Sequence, residues 1–276
     1  MLGGDIQSIR FRRMPSSRHT SRLDADITHV ASSLRSATRI VALTGAGISA
    51  ESGVPTFRAA QSGLWARYDP MELATPEAFA ANPELVWDWY CWRRELVSKA
   101  KPNSGHHALA VLEKQAPAFV LVTQNVDRLH HRAGSKAVVE LHGNLEENRC
   151  SREHLVAEQD PRDTRRPPHC PRCDARLRPN VVWFGEALPA AALERAMNAA
   201  QHCDLLLCIG TSNLVYPAAA IPGEALNGNA IIVEINPETT PLSTQATHHL
   251  KGSAGAILPQ LISRAYAETP TIGFIA

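Results

Sequence analysis

An excess of charge of one sign is missing from this chain, where 28 Lys and Arg stand against 27 Asp and Glu in 276 residues. So balanced a composition makes no electrostatic case for gripping nucleic acid or an anionic membrane, and neither is expected as a partner. Also missing is any apolar run near the roughly 18 residues that a membrane-crossing helix needs. The first 35 residues, rich in Arg and Ser early on and poor in acids, resemble a transit peptide in composition. They lack an apolar h-region and a cleavage signal, and are expected to be a basic, disordered tail; residues 271–276 are expected to be a C-terminal tail. No internal repeat is present. Cysteine is sparse, at six residues. Cys91, Cys203 and Cys208 lie in apolar surroundings and read as small core residues. Cys150, Cys170 and Cys173 lie in a polar, Pro- and Arg-rich segment where metal binding is more plausible than a disulfide. The pattern is that of a cytoplasmic protein.

What the chain does have is a set of short runs rich in Val, Ile and Leu: RIVALT (39–44), AFVLVT (118–123), AVVEL (137–141), CDLLLCIG (203–210) and AIIVEIN (230–236). Such runs suit strands buried on both faces of a parallel sheet. Helical patterns such as SGHHALAVLEKQ and AALERAMNAAQ lie between most of them. The expected fold is therefore α/β, a Rossmann-like doubly wound parallel sheet. Two stretches break the alternation: a helical excursion over about 55–105, and a cysteine-bearing stretch over about 143–185. Both are expected to pack together as a smaller helical plus zinc-ribbon-like module within one domain spanning 36–270.

Each run closes on a short polar motif: GAGIS, QNVDRLH, HGN, GTSN and NPETT. Ligands of open α/β sheets bind outside the carboxyl ends of the strands, so five such endings point to one crevice and a large polar ligand. Gly45-Ala46-Gly47-Ile48-Ser49-Ala50 fits G-x-G-x-x-A, a strand-to-helix turn whose backbone can approach a pyrophosphate. A hydride-transfer enzyme would carry an acidic residue after a second strand, about 20 residues on. Here the chain instead continues Ser-Gly-Val-Pro-Thr-Phe-Arg, which is a loop. Gln124, Asn125 and Asp127 offer amide and acid groups for a ribose and a carboxamide. His142 is expected at a strand end, with backbone pressed close behind it at Gly143. Its imidazole, with an ordinary pKa near 6.5, suits a general base beside ribose hydroxyls.

The segments GAGISAESGVPTFR, TQNVDRLH, LHGN, VVWFGE, GTSNLVYPAA and NPETT, in this order over roughly residues 36–265, resemble the sirtuins, NAD-dependent protein-lysine deacylases. The resemblance implies that NAD is cleaved to nicotinamide and that the acyl group of an acylated-lysine protein passes to ADP-ribose. It also implies roles for individual residues. Gly45, Ala46, Gly47, Phe57 and Arg58 would hold the phosphates and the nicotinamide side, with the Phe57–Arg58 loop shielding the reactive carbon from water. Gln124, Asn125 and Asp127 would hold the ribose and carboxamide, Asn125 and Asp127 orienting NAD for cleavage. His142 would take the proton from a ribose hydroxyl. Gly210, Thr211 and Ser212 would contact phosphates and adenosine ribose, Asn236 and Glu238 the adenosine end, and Ala254 the adenine. Val182, Trp183, Phe184 and Gly185 would pair as a strand with the substrate peptide. Mono-ADP-ribosyl transfer to protein, or NAD and acyl-peptide binding without turnover, are the alternatives, and a monomer is expected.

Tyr90 and Arg93 lie three apart on an expected helix and share a face. The sirtuin branch that removes succinyl, malonyl and glutaryl groups carries such a Tyr-x-x-Arg pair. A guanidinium fork beside a phenol matches a distal carboxylate, so desuccinylation and demalonylation are expected above deacetylation. Sirtuins usually hold a structural zinc with two Cys-x-x-Cys pairs. Here Cys170 and Cys173 form one pair, whereas Cys150 is followed by Glu153 in place of its partner thiolate. Glu153, His154 or His169 could complete a tetrahedron with the three thiolates, and zinc is expected with reduced or variable occupancy.

Overall fold

The structure, a computed structural model, describes residues 17–55 and 67–266. Strand β1 (Arg39–Thr44) is central, and its residues alternate between two cores. Ile40 and Ala42 face a layer made by α1 (Ser17–Ser36), α5 (Ser104–Gln115) and α9 (Ala254–Tyr266). Val41 and Leu43 face the layer made by α7 (Ala190–Gln201) and α8 (Ile221–Asn227). The other strands of the sheet are β2 (Ala118–Thr123), β3 (Val138–Glu140), β6 (Leu205–Ile209), β7 (Ile231–Asn236) and β8 (His248–Lys251). Their order is β3-β2-β1-β6-β7-β8 and every neighbouring pair is parallel. The order reverses between β1 and β6, so the crevice at their carboxyl ends is the place where a doubly wound sheet binds its ligand.

The five expected strands are all present, with edges differing by a residue or two, and the expected helices are α5 and α7. Strand β8 is not evident in the sequence, because four residues reading HHLK carry no apolar run. The basic tail requires a larger correction. From Ser17 onward it is helix α1, which packs on α9 and β8. Ile27, Val30, Ala31 and Leu34 are all buried and recur at the i, i+3, i+4, i+7 spacing of one helical face, a periodicity masked by the polar residues between them. Residues 1–16 and 267–276, including the 271–276 end, lie outside the described residues.

The excursion from β1 forms α2 (Pro70–Leu73), α3 (Pro76–Ala81) and α4 (Pro83–Lys99). Each has proline in its first turn and an Asp, Thr or Asn side chain capping an N-terminal amide. This is why three helices fit in so short a stretch. The second excursion is the antiparallel pair β4 (Gly143–Cys150) and β5 (Leu177–Val181). The two excursions share a core of Phe79, Val86, Trp89, Tyr90, Leu145, Val181 and Trp183. They therefore form a single smaller module, as expected.

Candidate active site

At the switch point the ends of β1 and β6 cross backbone to backbone. Gly45 N donates to Ile209 O at 3.0 Å, and Gly47 N to Gly210 O at 2.8 Å. A Cβ at Gly47 would lie 2.7 Å from Gly210, and Gly210 itself has φ +59. No larger residue fits at either point. The segment after β1 does not extend into the helix of a hydride-transfer site. Ala46–Ser52 is a 3-10 turn closed by Gly53 at φ 78, not the start of a long helix, and Pro55 comes two residues later. The helix that crosses back to β2 is α5. Glu51, on the last part of that turn, accepts from Ser253 Oγ at 2.9 Å and Gly255 N at 2.7 Å, and so ties it to α9, where Ala254 is buried. Phe57 and Arg58 lie outside the described residues.

The end of β2 supplies the most polar part of the crevice. Ser49 Oγ donates to Asp127 Oδ2 at 2.7 Å and accepts from Asn125 Nδ2 at 3.1 Å. The other Asp127 oxygen accepts at 2.9 Å from the amide of Leu129, the first residue of α6 (Leu129–Ala133). Burial pushes the Asp127 carboxyl above the usual range, against the pull of these hydrogen bonds. His106 stands behind Ser49, its Nε2 3.4 Å from the hydroxyl. Its Nδ1 accepts from Asn103 N at 3.3 Å in a capping box of α5, so the ring proton sits on Nε2. His130 packs on His106 at 4.9 Å and meets Thr44 Oγ1 at 3.0 Å. Burial lowers these two imidazoles to about 4 and about 3, so both are neutral around pH 7. The sequence singles out Asn125 and Asp127 but not Ser49 or His106. The serine lies inside the glycine motif and the histidine inside a helical pattern, and only the fold brings the two together.

His142 comes just after β3. Its Nδ1 is 2.9 Å from Gln124 O. A carbonyl can only accept, so Nδ1 carries the proton and Nε2 keeps a lone pair. Burial holds the imidazole below its ordinary pKa, with the Gln124 hydrogen bond opposing. Behind it Gly143 has φ +70, and a Cβ there would lie 2.1 Å from Asn180 O. The close backbone approach expected from the His-Gly pair is thus present. Gln124 Nε2 donates to Thr211 Oγ1 at 3.0 Å, and Asn236 Nδ2 to Thr211 O at 3.1 Å. The ends of β2, β6 and β7 are thereby linked into one rim, with Ser212 and Glu238 exposed beyond it.

On α4, Tyr90 is 1% exposed and Arg93 partly buried. The Arg93 guanidinium carbon lies 5.4 Å from the Tyr90 ring and 4.9 Å from the Trp89 ring. Burial lowers the Arg93 pKa, while Tyr90 and the charge of Asp127 support its charged form. The pair therefore lies within electrostatic reach of Asp127. Tyr90 Oη accepts from Trp183 Nε1 at 2.9 Å. Residues 182–185 differ from the expected strand, because β5 ends at Val181. Val182 N pairs with His142 O at 2.9 Å, Trp183 N with Glu186 at 2.9 Å, and Phe184 N with Ala74 O at 2.9 Å.

In the second excursion Cys150, Cys170, Cys173 and Glu153 present ligand atoms all within 4.8 Å of one another. The six cysteines are free, and Cys150 Sγ is 3.4 Å from Cys173 Sγ. His154 is exposed with φ 57 and His169 Nδ1 is 3.6 Å from Asp174; neither belongs to the cluster, so the fourth position falls to Glu153. Three thiolates and one carboxylate fit the donor set and number of a closed zinc site. Because one ligand is the harder carboxylate, also paired with Arg172 at 3.0 Å, the site should release zinc more readily than a four-thiolate one. Chelation is expected to lower the melting temperature by more than about 5 °C, and Glu153→Ala to lower the zinc content of purified protein. Metal analysis with thermal melts checks both, and purified, stable protein devoid of zinc would refute the assignment.

A doubly wound sheet with a glycine-crossed switch point and a rim of amides, hydroxyls, one buried acid and one imidazole defines a dinucleotide-binding α/β enzyme fold, here carrying a smaller module. The Sir2 family model matches residues 45–217. The chain is 53% identical over 241 residues to NAD-dependent protein deacylase 1 of Pseudomonas aeruginosa, covering 84% of this chain and 96% of that protein. It is 48% identical over 246 residues to the NAD-dependent protein deacylase of Methylococcus capsulatus, covering 86% and 96%. Among solved structures, a Sir2 homologue–NAD complex superposes with TM-score 0.80 at 46% identity, covering 86% of this chain and 93% of that one. A Sir2–p53 peptide–NAD+ complex gives TM-score 0.74 at 34% identity, covering 84% and 95%. The chain belongs to the Sir2 family, the sirtuins that its sequence resembles.

Proposed function

We propose that this chain is an NAD-dependent protein-lysine deacylase that prefers acyl chains ending in a carboxylate, succinyl and malonyl above acetyl, with deacetylation retained. NAD, when bound, supplies an electrophilic ribose carbon and nicotinamide as leaving group. Gly45, Ala46, Gly47, Gly210, Thr211 and Ser212 would hold the phosphates and the adenosine ribose, with Asn236, Glu238 and Ala254 at the adenosine end. Gln124, Asn125 and Asp127 would orient the ribose and carboxamide, and Ser49 would hold Asn125 and Asp127 in place. His142 Nε2 would accept the proton of a ribose hydroxyl. The acylated-lysine peptide would run past residues 182–185, where main-chain pairing would draw on the Val182 carbonyl and Gly185, since the three preceding amides already have partners. Zinc on Cys150, Cys170, Cys173 and Glu153 would brace the module and take no part in the chemistry. The working unit is the single domain 36–270 as a monomer, extended at its start by α1.

The carboxylate preference is carried by Tyr90 and Arg93. They sit side by side on α4, largely removed from water and within electrostatic reach of Asp127. A desolvated guanidinium has strong reason to take a carboxylate, whereas an acetyl methyl gains nothing from it. In Arg93→Met the ratio of kcat/KM for succinyl- over acetyl-lysine peptide is expected to fall more than tenfold, the cost of losing a hydrogen bond to a charged group. Peptides bearing each acyl group, incubated with NAD and read by mass spectrometry, test this. Equal loss on both substrates would refute a selective role for the pair, and ADP-ribosylated protein in place of O-acyl-ADP-ribose would refute deacylation.

A further inference from the structure

Tyr90 is among the most deeply buried side chains of the smaller module, yet it carries a hydroxyl. A phenol has one proton to donate and two lone pairs to offer. Trp183 Nε1 can only donate, and at 2.9 Å from Tyr90 Oη it occupies one lone pair. Arg93 has donors only, and its guanidinium carbon stands 5.4 Å from the Tyr90 ring. Neither neighbour can take the phenol proton, which is therefore left for an acceptor. The phenol cannot swing to another arrangement. Trp89 packs edge-on against it at 4.6 Å, and Trp183 is held from three sides. Arg178 lies 3.3 Å from the Trp183 ring centroid while paired with both oxygens of Glu186, at 2.6 and 2.8 Å. Glu186 also accepts from Trp183 N, and Phe79 packs on the ring at 5.3 Å.

We infer that Trp183 is a specificity-determining positioning residue, whose indole N–H, together with Arg93, turns the Tyr90 hydroxyl into a dedicated hydrogen-bond donor for the terminal carboxylate of an acyl-lysine. The inference rests on the reading of Tyr90 and Arg93 as the acyl-recognition pair. It assigns Trp183 a side-chain role distinct from any peptide pairing of its backbone. Burial also keeps the phenol above its ordinary pKa, so the proton to be donated stays in place at working pH. With Trp183 on one lone pair and the donor-only guanidinium of Arg93 beside the ring, an acyl chain ending in an acceptor is favoured over one ending in a donor.

Trp183→Phe removes the N–H but also part of the ring, so a second variant isolates the donor: 3-benzothienylalanine at position 183, which keeps the bicyclic shape and replaces N–H by sulfur. In either variant the succinyl-to-acetyl ratio of kcat/KM is expected to fall about tenfold, mainly through KM for the succinyl peptide. In a Tyr90→Phe background the same change at 183 should move the ratio no further, because the acceptor is already gone. If the benzothienyl variant keeps the native ratio, or if its effect on the ratio is as large in Tyr90→Phe as in native protein, Trp183 is ordinary core and the inference falls. Should Tyr90→Phe and Arg93→Met lower the ratio while both Trp183 variants do not, this inference alone is lost. Should none of the four move it, the reading of the acyl pair is what fails.

Discussion

Replacing His142 by alanine is expected to reduce acyl removal by about 10²- to 10⁴-fold, the usual contribution of a positioned general base. The expectation comes from a single hydrogen bond. Because Nδ1 donates to Gln124 O, the ring has a fixed tautomer and orientation, and the lone pair on Nε2 faces away from that carbonyl. Burial adds to this by disfavouring the imidazolium, so the base is neutral and competent at pH 7. The sign for pH dependence is then determined. As a general base the group would work when deprotonated, and burial holds its pKa in the folded protein below the ordinary 6.5. The acid limb of kcat/KM should therefore fall below pH 6.5, with activity lost as pH drops through it. Rates from pH 5 to 8 on native protein and His142→Ala measure both effects. An acid limb above 6.5, or an alanine variant within a few-fold of native, would remove His142 from the role of base.

Gly143→Ala should be nearly as damaging, although it adds one carbon at a residue that contributes no chemistry. The left-handed conformation at φ +70 costs an L-residue about 1–2 kcal/mol by itself. The added Cβ would also lie 2.1 Å from Asn180 O, a distance no real contact adopts, and backbone cannot step aside as a flexible side chain can. The β4–β5 pair must open at that end. Gly143 pairs with Val181, and His142 O accepts from Val182 N, so opening moves the imidazole and residues 182–185 together. A displacement near 1 Å at a reacting group costs about 100-fold. A fall in kcat of at least that size is expected, with a melting temperature lowered by several degrees. Folded Gly143→Ala protein with native kcat would mean that the close approach does not position His142.

Much of the fold is legible in the sequence because the strands of a parallel sheet are buried on both faces and must read as apolar runs. RIVALT and AFVLVT coincide with β1 and β2 residue for residue, and SGHHALAVLEKQ with α5. The differences have local causes. Four-residue β8 buries only Leu250 fully, too little for a pattern. In α1 the apolar face is one residue in three or four inside a polar stretch, and what makes it helical is its packing on α9.

Residue order alone settled that this chain builds a doubly wound sheet, that its strand ends converge on a polar ligand, and that His142 has backbone close behind it, because burial periodicity and glycine requirements are properties of short segments. Only the tertiary structure could decide that Ser49, His106 and Asp127 meet, that Glu153 and not His154 joins the three cysteines, and that an indole from position 183 fills a lone pair on a phenol at position 90. Those contacts join residues as far as 93 positions apart. Their geometry comes from how layers pack, which no local pattern of side chains encodes.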